Sequence, residues 1–131
     1  MNQSFDLSSL LTELIYGSGA AEPVEQIVER LLAPHFALRN NGQVYDRSGF
    51  IAHVGELRQM AVGGGDIRVL EEISTDAGIA GRYLFRMLSA EGQSLSVEAH
   101  VFAKVNDGKV ERIVEVARQV ENTEEDFLAD T

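Results

Sequence analysis

The sequence predicts an α+β domain, helices first and then a four-strand antiparallel meander, and two observations carry that prediction. Between Asp66 and Glu121 three turn signals recur at near-regular spacing, Asp76-Ala77-Gly78, Glu91-Gly92-Gln93 and Asn106-Asp107-Gly108, each with a glycine able to take positive φ in a tight reversal. The runs between them are rich in Val, Ile, Phe, Tyr and Leu and alternate in places: Val97, Ala99, Val101, Ala103 and Val105 against Glu98, His100, Phe102 and Lys104.

Ahead of the meander the apolar residues recur at helical spacing. Leu7, Leu10, Leu11, Leu14 and Ile15 share one helical face after Ser4 or Asp6 as N-cap, and Gly17 and Gly19 stop the run. Pro23 suits the first turn of a second helix with Val24, Ile27, Val28 and Leu31 inward, which Pro34 ends by disfavouring helical geometry at Ala33. Phe36 to Tyr45 predicts a small hairpin turning at Asn40-Asn41-Gly42. Asp46 caps a third helix whose stripe is Phe50, Ile51, Val54, Leu57 and Ala61, and Gly63-Gly64-Gly65 leads into the sheet.

At 131 residues, 44% hydrophobic and 24% charged, the chain reads as one domain spanning 1–131. The net charge is −10, and half of it sits in the last eleven residues, where Glu121, Glu124, Glu125, Asp126 and Asp130 meet no basic residue. A solvating, mobile tail is expected from about residue 122. Such acidity argues against nucleic acid and membrane surfaces as partners. No long apolar run and no signal-like start is present, so a cytoplasmic protein is expected. With no cysteine, and His35, His53 and His100 scattered, no metal site and no cofactor is expected, and the histidines read as surface or interface residues. The glycine triplet lacks the strand, helix and Lys-Ser/Thr pair of a phosphate loop.

The order of elements resembles the nuclear transport factor 2-like superfamily. Val44-Tyr45-Asp46-Arg47-Ser48-Gly49-Phe50-Ile51 is similar to its entry into the long helix, and Asp107-Gly108-Lys109-Val110-Glu111-Arg112-Ile113 to its penultimate turn and last strand. The resemblance covers essentially the whole chain. It implies a cystatin-like α+β cone, three N-terminal helices packed in the concave face of a strongly curved antiparallel sheet, with an internal pocket and pairing of two copies through the outer face. Its members include steroid isomerases, epoxide hydrolases, SnoaL-like polyketide cyclases, dehydratases and non-catalytic binding or assembly domains, so function must be argued from the site.

Matching the Gly92-Gln93 turn to that of the steroid isomerase branch implies that Arg82, Leu84, Arg86 and Leu88 face inward. Val97, Ala99, Val101 and Ala103 follow on the next strand, Ile113, Glu115 and Ala117 on the last, and Ile67, Val69, Glu71 and Ile73 on the first. A shift of one residue in a hairpin reverses a whole strand. A two-residue pairing across Asp107-Gly108 would set His100 beside Glu115. The steroid isomerase acid falls on Val101 and its base near Arg39 or Asn40, so that mechanism is excluded. The epoxide hydrolase set falls on Arg82, Leu84 and Glu115, with one acid missing.

What remains is a ligand set of Arg82, Arg86, Glu115, Glu71, Asn40 and Tyr45, with Tyr16 also near the mouth and Glu115 as the candidate general base. The expected partner is a small organic molecule, anionic if the arginines bind it, for an isomerase, cyclase or hydrolase of unknown substrate. The competing reading is a non-catalytic interaction domain with a filled pocket, in which Arg82 and Glu115 only satisfy one another. Alternation sends Tyr83, Phe85 and Met87 outward with Leu70, Phe102, Val114 and Val116, an apolar face expected to join a homodimer with His100 and Lys104 near its rim.

Overall fold

The computed structural model describes residues 7–16 and 23–121. The candidate caps Ser4 and Asp6, the glycines 17 and 19, and the acidic tail from about 122 lie outside the described residues. The elements run α1 (Leu7–Tyr16), α2 (Val24–Leu31), β1 (Leu32–Asn40), β2 (Gln43–Tyr45), α3 (Arg47–Met60), β3 (Gly64–Ser74), β4 (Gly78–Leu88), β5 (Ser94–Asn106) and β6 (Lys109–Val120). Three N-terminal helices thus lie against one curved, mostly antiparallel sheet, as expected.

Local chemistry sets the ends of these elements. The Asp46 carboxylate accepts the Gly49 N–H at 2.8 Å and so caps α3. Pro23 precedes α2, and its carbonyl accepts from Gln26 and Ile27. α2 ends at Leu31, short of Pro34, because Leu32 is already extended and begins β1. Pro34 instead sits in a break of the β1 ladder between Leu32 and Ala37, where a residue without an N–H is tolerated. Gly92 and Gly108 take positive φ in their hairpins, whereas Gly78 opens β4 and is not among the positive-φ residues.

The strand order is β2-β1-β6-β5-β4-β3. The meander and the early hairpin form one sheet because β1 pairs in parallel with β6, placing Leu38 beside Ile113 and Asn40 beside Glu115. Register shifts between Val69 and Glu71, and between Lys104 and Val105, add local twist to a sheet that already coils. The concave face and the helices share one core, in which Leu7, Leu14, Val28, Leu32, Phe36, Val54, Tyr83 and Val110 are fully buried. Phe36 meets Phe50 of α3 edge to face at 4.8 Å.

Two strand faces differ from expectation. On β4 it is Tyr83, Phe85 and Met87 that enter the core, while Arg82 and Arg86 turn to the convex face and Leu84 packs with Val120 and Leu70 away from the main core. The cause is the hairpin loop: Leu88 pairs with Ser94, leaving five residues between them, so Phe85 lies opposite Val97 and both point inward. On β3 the bulge after Val69 carries Glu71 opposite Arg82 and Ile73 opposite Ala80, moving both to the outside. β5 and β6 face as expected, and His100 pairs with Val116, not Glu115.

α1 is tied to the sheet at one point where the chain needs glycine. Tyr16 donates its hydroxyl to the Arg86 carbonyl at 2.8 Å, crossing over Gly65. Gly65 has φ 153°, and a Cβ there would strike both that carbonyl and the Tyr16 ring. Gly65→Ala is expected to cost about 3 kcal/mol or more, from strain together with a lost α1 contact, and urea denaturation reads it directly.

Candidate functional site

The concave face and the helices enclose a cavity of about 180 Å³. Its walls are apolar: Leu11, Leu14 and Ile15 from α1, Phe50, Val54 and Leu57 from α3, and Phe85, Met87, Val97, Val101 and Ile113 from the sheet. Three polar side chains interrupt them, Asn40 at the end of β1, His53 on α3 and Glu115 on β6.

Glu115 is the anomaly. Its backbone carbonyl accepts from Asn41 N–H, but among the described residues no donor or cation reaches its carboxyl group. Burial, unopposed by any positive charge, pushes its pKa up to about 7. His53 is held below its usual value by burial, against the opposing pull of Glu56, so its imidazole is neutral at pH 7. The ring stacks on Tyr45 at 4.9 Å, and Tyr45 is tied in turn to Gln43 by a 3.0 Å hydrogen bond. Asn40 lies beside Glu115 across the parallel pair, adding an amide to the same wall.

Of the residues expected at the site, Asn40 and Glu115 line the cavity and Tyr45 backs it through His53. Arg82, Arg86 and Glu71 do not line it. Arg82 binds Glu71 at 2.6 Å and approaches the buried Glu98 at 3.5 Å on the convex face, with Arg118 3.2 Å from the other oxygen of Glu98. Arg86 reaches Asp66 at 3.5 Å. The expected Arg82–Glu115 core pair is therefore replaced by an outer network around Glu98. Tyr16 is spent on the Arg86 carbonyl, and burial and Asp66 hold its phenol protonated against the weaker effect of Arg86.

His53, expected with the other histidines to be a surface or interface residue, lines the cavity instead. The signal was present, since it follows Phe50 by three residues and precedes Leu57 by four, on the stripe of α3 that faces the sheet.

Tyr83, Phe85 and Met87, expected in a subunit contact, are buried in the core. Phe102, Val114 and Val116 do lie on the convex face, Phe102 70% and Val116 62% exposed, next to Ile73 at 72%. No group of three or more potential metal ligands occurs among the described residues. No helix there is long and apolar enough to cross a membrane.

The sequence matches no protein-family model and no curated protein. Solved structures do match. IdmH from Streptomyces antibioticus, a candidate polyketide cyclase, is 13% identical over 96% of this chain and 100% of its own, with a TM-score of 0.63. AusH from Aspergillus nidulans is 14% identical, covering 84% of this chain and 79% of its own, at 0.66. A candidate SnoaL-like isomerase from Agrobacterium tumefaciens is 13% identical, covering 82% and 90%, at 0.57. The chain has the nuclear transport factor 2-like fold. Within that fold the concave cavity is shaped by the same elements that carry Glu115, His53 and Asn40.

The raised Glu115 has a thermodynamic signature. In the unfolded chain Glu115 ionises near its ordinary value, whereas in the folded protein it keeps its proton up to about pH 7. Its favourable contribution is thus complete below the unfolded value and is lost as pH rises toward 7. Glu115→Gln is expected to leave stability near pH 4 little changed and to raise it at pH 8 by about 2–3 kcal/mol. Urea unfolding of both proteins at the two pH values measures the difference.

Proposed function

We propose that this domain binds a small, uncharged and largely apolar organic molecule in its cone and moves a proton on it through Glu115. The observation that carries this reading is a carboxyl group without a partner in an apolar cavity, its pKa near 7. A base poised there is part ionised at neutral pH and strong enough to take a proton from carbon beside a carbonyl. The pair of electrons from that bond moves onto the carbonyl oxygen, where Asn40 and neutral His53 supply N–H donors to the developing enolate. Where a β,γ double bond is conjugated with the enolate, Glu115 returns the proton to the γ-carbon, an isomerisation. Otherwise the enolate carbon attacks a second carbonyl of the same molecule, closing a ring, and the alkoxide so formed takes the proton from Glu115. The resemblance to a candidate cyclase and a candidate isomerase supports these classes.

An uncharged ligand is favoured over the anionic one that inward arginines would bind, because the described residues of the cavity wall include no cation. The volume restricts it to about one ring, since a dry cavity of about 150 Å³ holds benzene. An acidic, cysteine-free protein of this kind fits a cytoplasmic setting.

Deuterium exchange tests the chemistry without a known substrate. Small cyclic ketones in heavy water are expected to exchange their α-hydrogens faster with the protein, more so as pH rises toward and past 7. Glu115→Gln is expected to lower the protein-dependent rate about a hundredfold or more. Ketone binding seen by NMR with no exchange above buffer would remove Glu115 as the base.

One observation favours a non-catalytic reading: the cavity lies below the roughly 300–1,000 Å³ usual for ligand pockets. A dry interior in the apo protein, with no ketone bound at millimolar concentration, would decide for it.

The convex face is proposed to bury a second copy under either reading. Ile73, Ala80, Phe102 and Val114 form an apolar row across β3 to β6, with Lys104 and Arg112 on one side and Glu71 on the other. Glu71 is itself paired with Arg82, so the apolar row carries the contact, and a two-fold axis along it lays each copy's row on the other's. Phe102→Glu is expected to give folded monomers in sedimentation, whereas Phe85→Glu, in the core, should unfold the chain. A wild-type monomer at micromolar concentration would end the dimer proposal.

A further inference from the structure

The structure assigns a second role to Asn41, beyond forming the β1–β2 turn: we infer that its side chain is a positioning device that holds Glu115 pointing into the cavity. This inference rests on the proton-transfer reading of Glu115, and deepens it.

Asn41 and Gly42 are the two central residues of a tight hairpin, with φ of 50° and 88°. An Asn-Gly pair is expected there, since both positions of such a turn need positive φ. Turn chemistry alone does not explain what the Asn41 amide does. Its Nδ2 donates to the Ala117 carbonyl at 3.0 Å, and its Oδ1 accepts the Ala117 N–H at 2.9 Å. The Asn41 backbone N–H donates to the Glu115 carbonyl at 3.0 Å.

The consequence follows from the ladder. β1 ends at Asn40, whose partner is Glu115, while β6 continues to Val120. Beyond that pairing β6 would lack a neighbour on this side, and its N–H and C=O groups there would be free. The Asn41 side chain supplies one more pair of backbone-like groups and extends the parallel ladder past Glu115. Three hydrogen bonds from one residue therefore hold the backbone at Glu115 and Ala117, both of which line the cavity. The carboxyl group makes no bond of its own among the described residues, so what aims it is the direction of its Cα–Cβ bond, held by the backbone, and the packing of the cavity wall around it. A fixed backbone keeps the group desolvated in the cavity and away from outside water.

The chemistry is specific to the amide. Glycine at 41 satisfies the turn and leaves Ala117 unpartnered. Aspartate keeps the turn and the acceptor but sets a carboxylate oxygen against the Ala117 carbonyl.

NMR of the full chain tests the inference with Asn41→Gly and Asn41→Asp. In the wild type Glu115 is expected to occupy one χ1 rotamer. In Asn41→Gly its couplings should average, and Ala117 amide exchange should rise about a hundredfold, the equivalent of two hydrogen bonds. The Glu115 carboxyl carbon should titrate about one unit or more closer to the ordinary glutamate value, as water reaches it. Asn41→Asp keeps the acceptor for the Ala117 N–H, so Ala117 exchange is expected to stay nearer the wild type, but it loses the bond to the Ala117 carbonyl and should average the Glu115 couplings; that rotamer readout serves should the glycine variant fail to fold. Faster Ala117 exchange with the Glu115 rotamer and midpoint unchanged would make Asn41 a purely structural residue and overturn the inference. A wild-type midpoint in the ordinary carboxylate range would by itself sink the proton-transfer reading, while the rotamer comparison would still decide the role of Asn41.

Discussion

The parallel pairing of β1 with β6 is the contact on which the remaining architecture depends. The four-strand meander has one buried face and cannot cover it alone. By joining β6, β1 brings with it the helix before it and the hairpin and helix after it, and so lays α2 and α3 over the concave face. The same pairing sets Asn40 against Glu115, so one set of backbone hydrogen bonds closes the cone and assembles its polar wall. Parallel neighbours distant in sequence carry a high loop-closure cost, and only the apolar surface buried between sheet and helices can offset it.

Much of this was legible in the sequence because two periodicities do not overlap. Helical spacing before Gly63 and alternation after Asp66 separated the layers, and Asp46 and the Asn-Gly turn marked their boundaries. The pairing of β1 with β6 was not legible, since no local pattern encodes a contact across some seventy-five residues. The facing of β4 failed for a narrower reason. Residues on both of its faces are large and apolar or long and amphipathic, so Arg82-Tyr83-Leu84-Phe85-Arg86-Met87 fits either orientation, and only the loop length between Leu88 and Ser94 decides. The facing of β5 was readable because alanine and valine there alternate with polar or charged residues over most of its length, whereas on β6, where Val114 and Val116 face out and Glu115 faces in, it followed from the family resemblance and not from the pattern. On β3 the bulge after Val69 reversed the alternation within one strand, which no period of two can anticipate.

Charge placement separates two glutamates that sequence alone treats alike. Glu98 is buried on the convex side, where Arg82 and Arg118 meet its two oxygens, an arrangement that stabilises a desolvated carboxylate and asks for no ligand. Glu115 faces the concave side with leucine, valine and phenylalanine around it and, among the described residues, no cation. Arg82 and Arg86, the cations nearest in sequence pattern, are held outside by the register of β4. A single hairpin loop therefore decides both the core packing of Tyr83, Phe85 and Met87 and the chemical character of the cavity.

That separation also weighs the functional readings. A buried carboxyl group kept for structure is expected to be paired, because an unpaired one lowers stability without strengthening any contact. Glu115 is partly buried and has no partner among the described residues, and an apolar side chain of similar volume would fill its place on β6 at no such cost. Stability sacrificed at one position inside an otherwise well-packed cone is what a functional group requires. The neutral His53 and the Asn40 amide line the same cavity, and on the proposed reading they would supply donors to a ligand's oxygen. On the proposed reading, the small cavity limits the ligand's size.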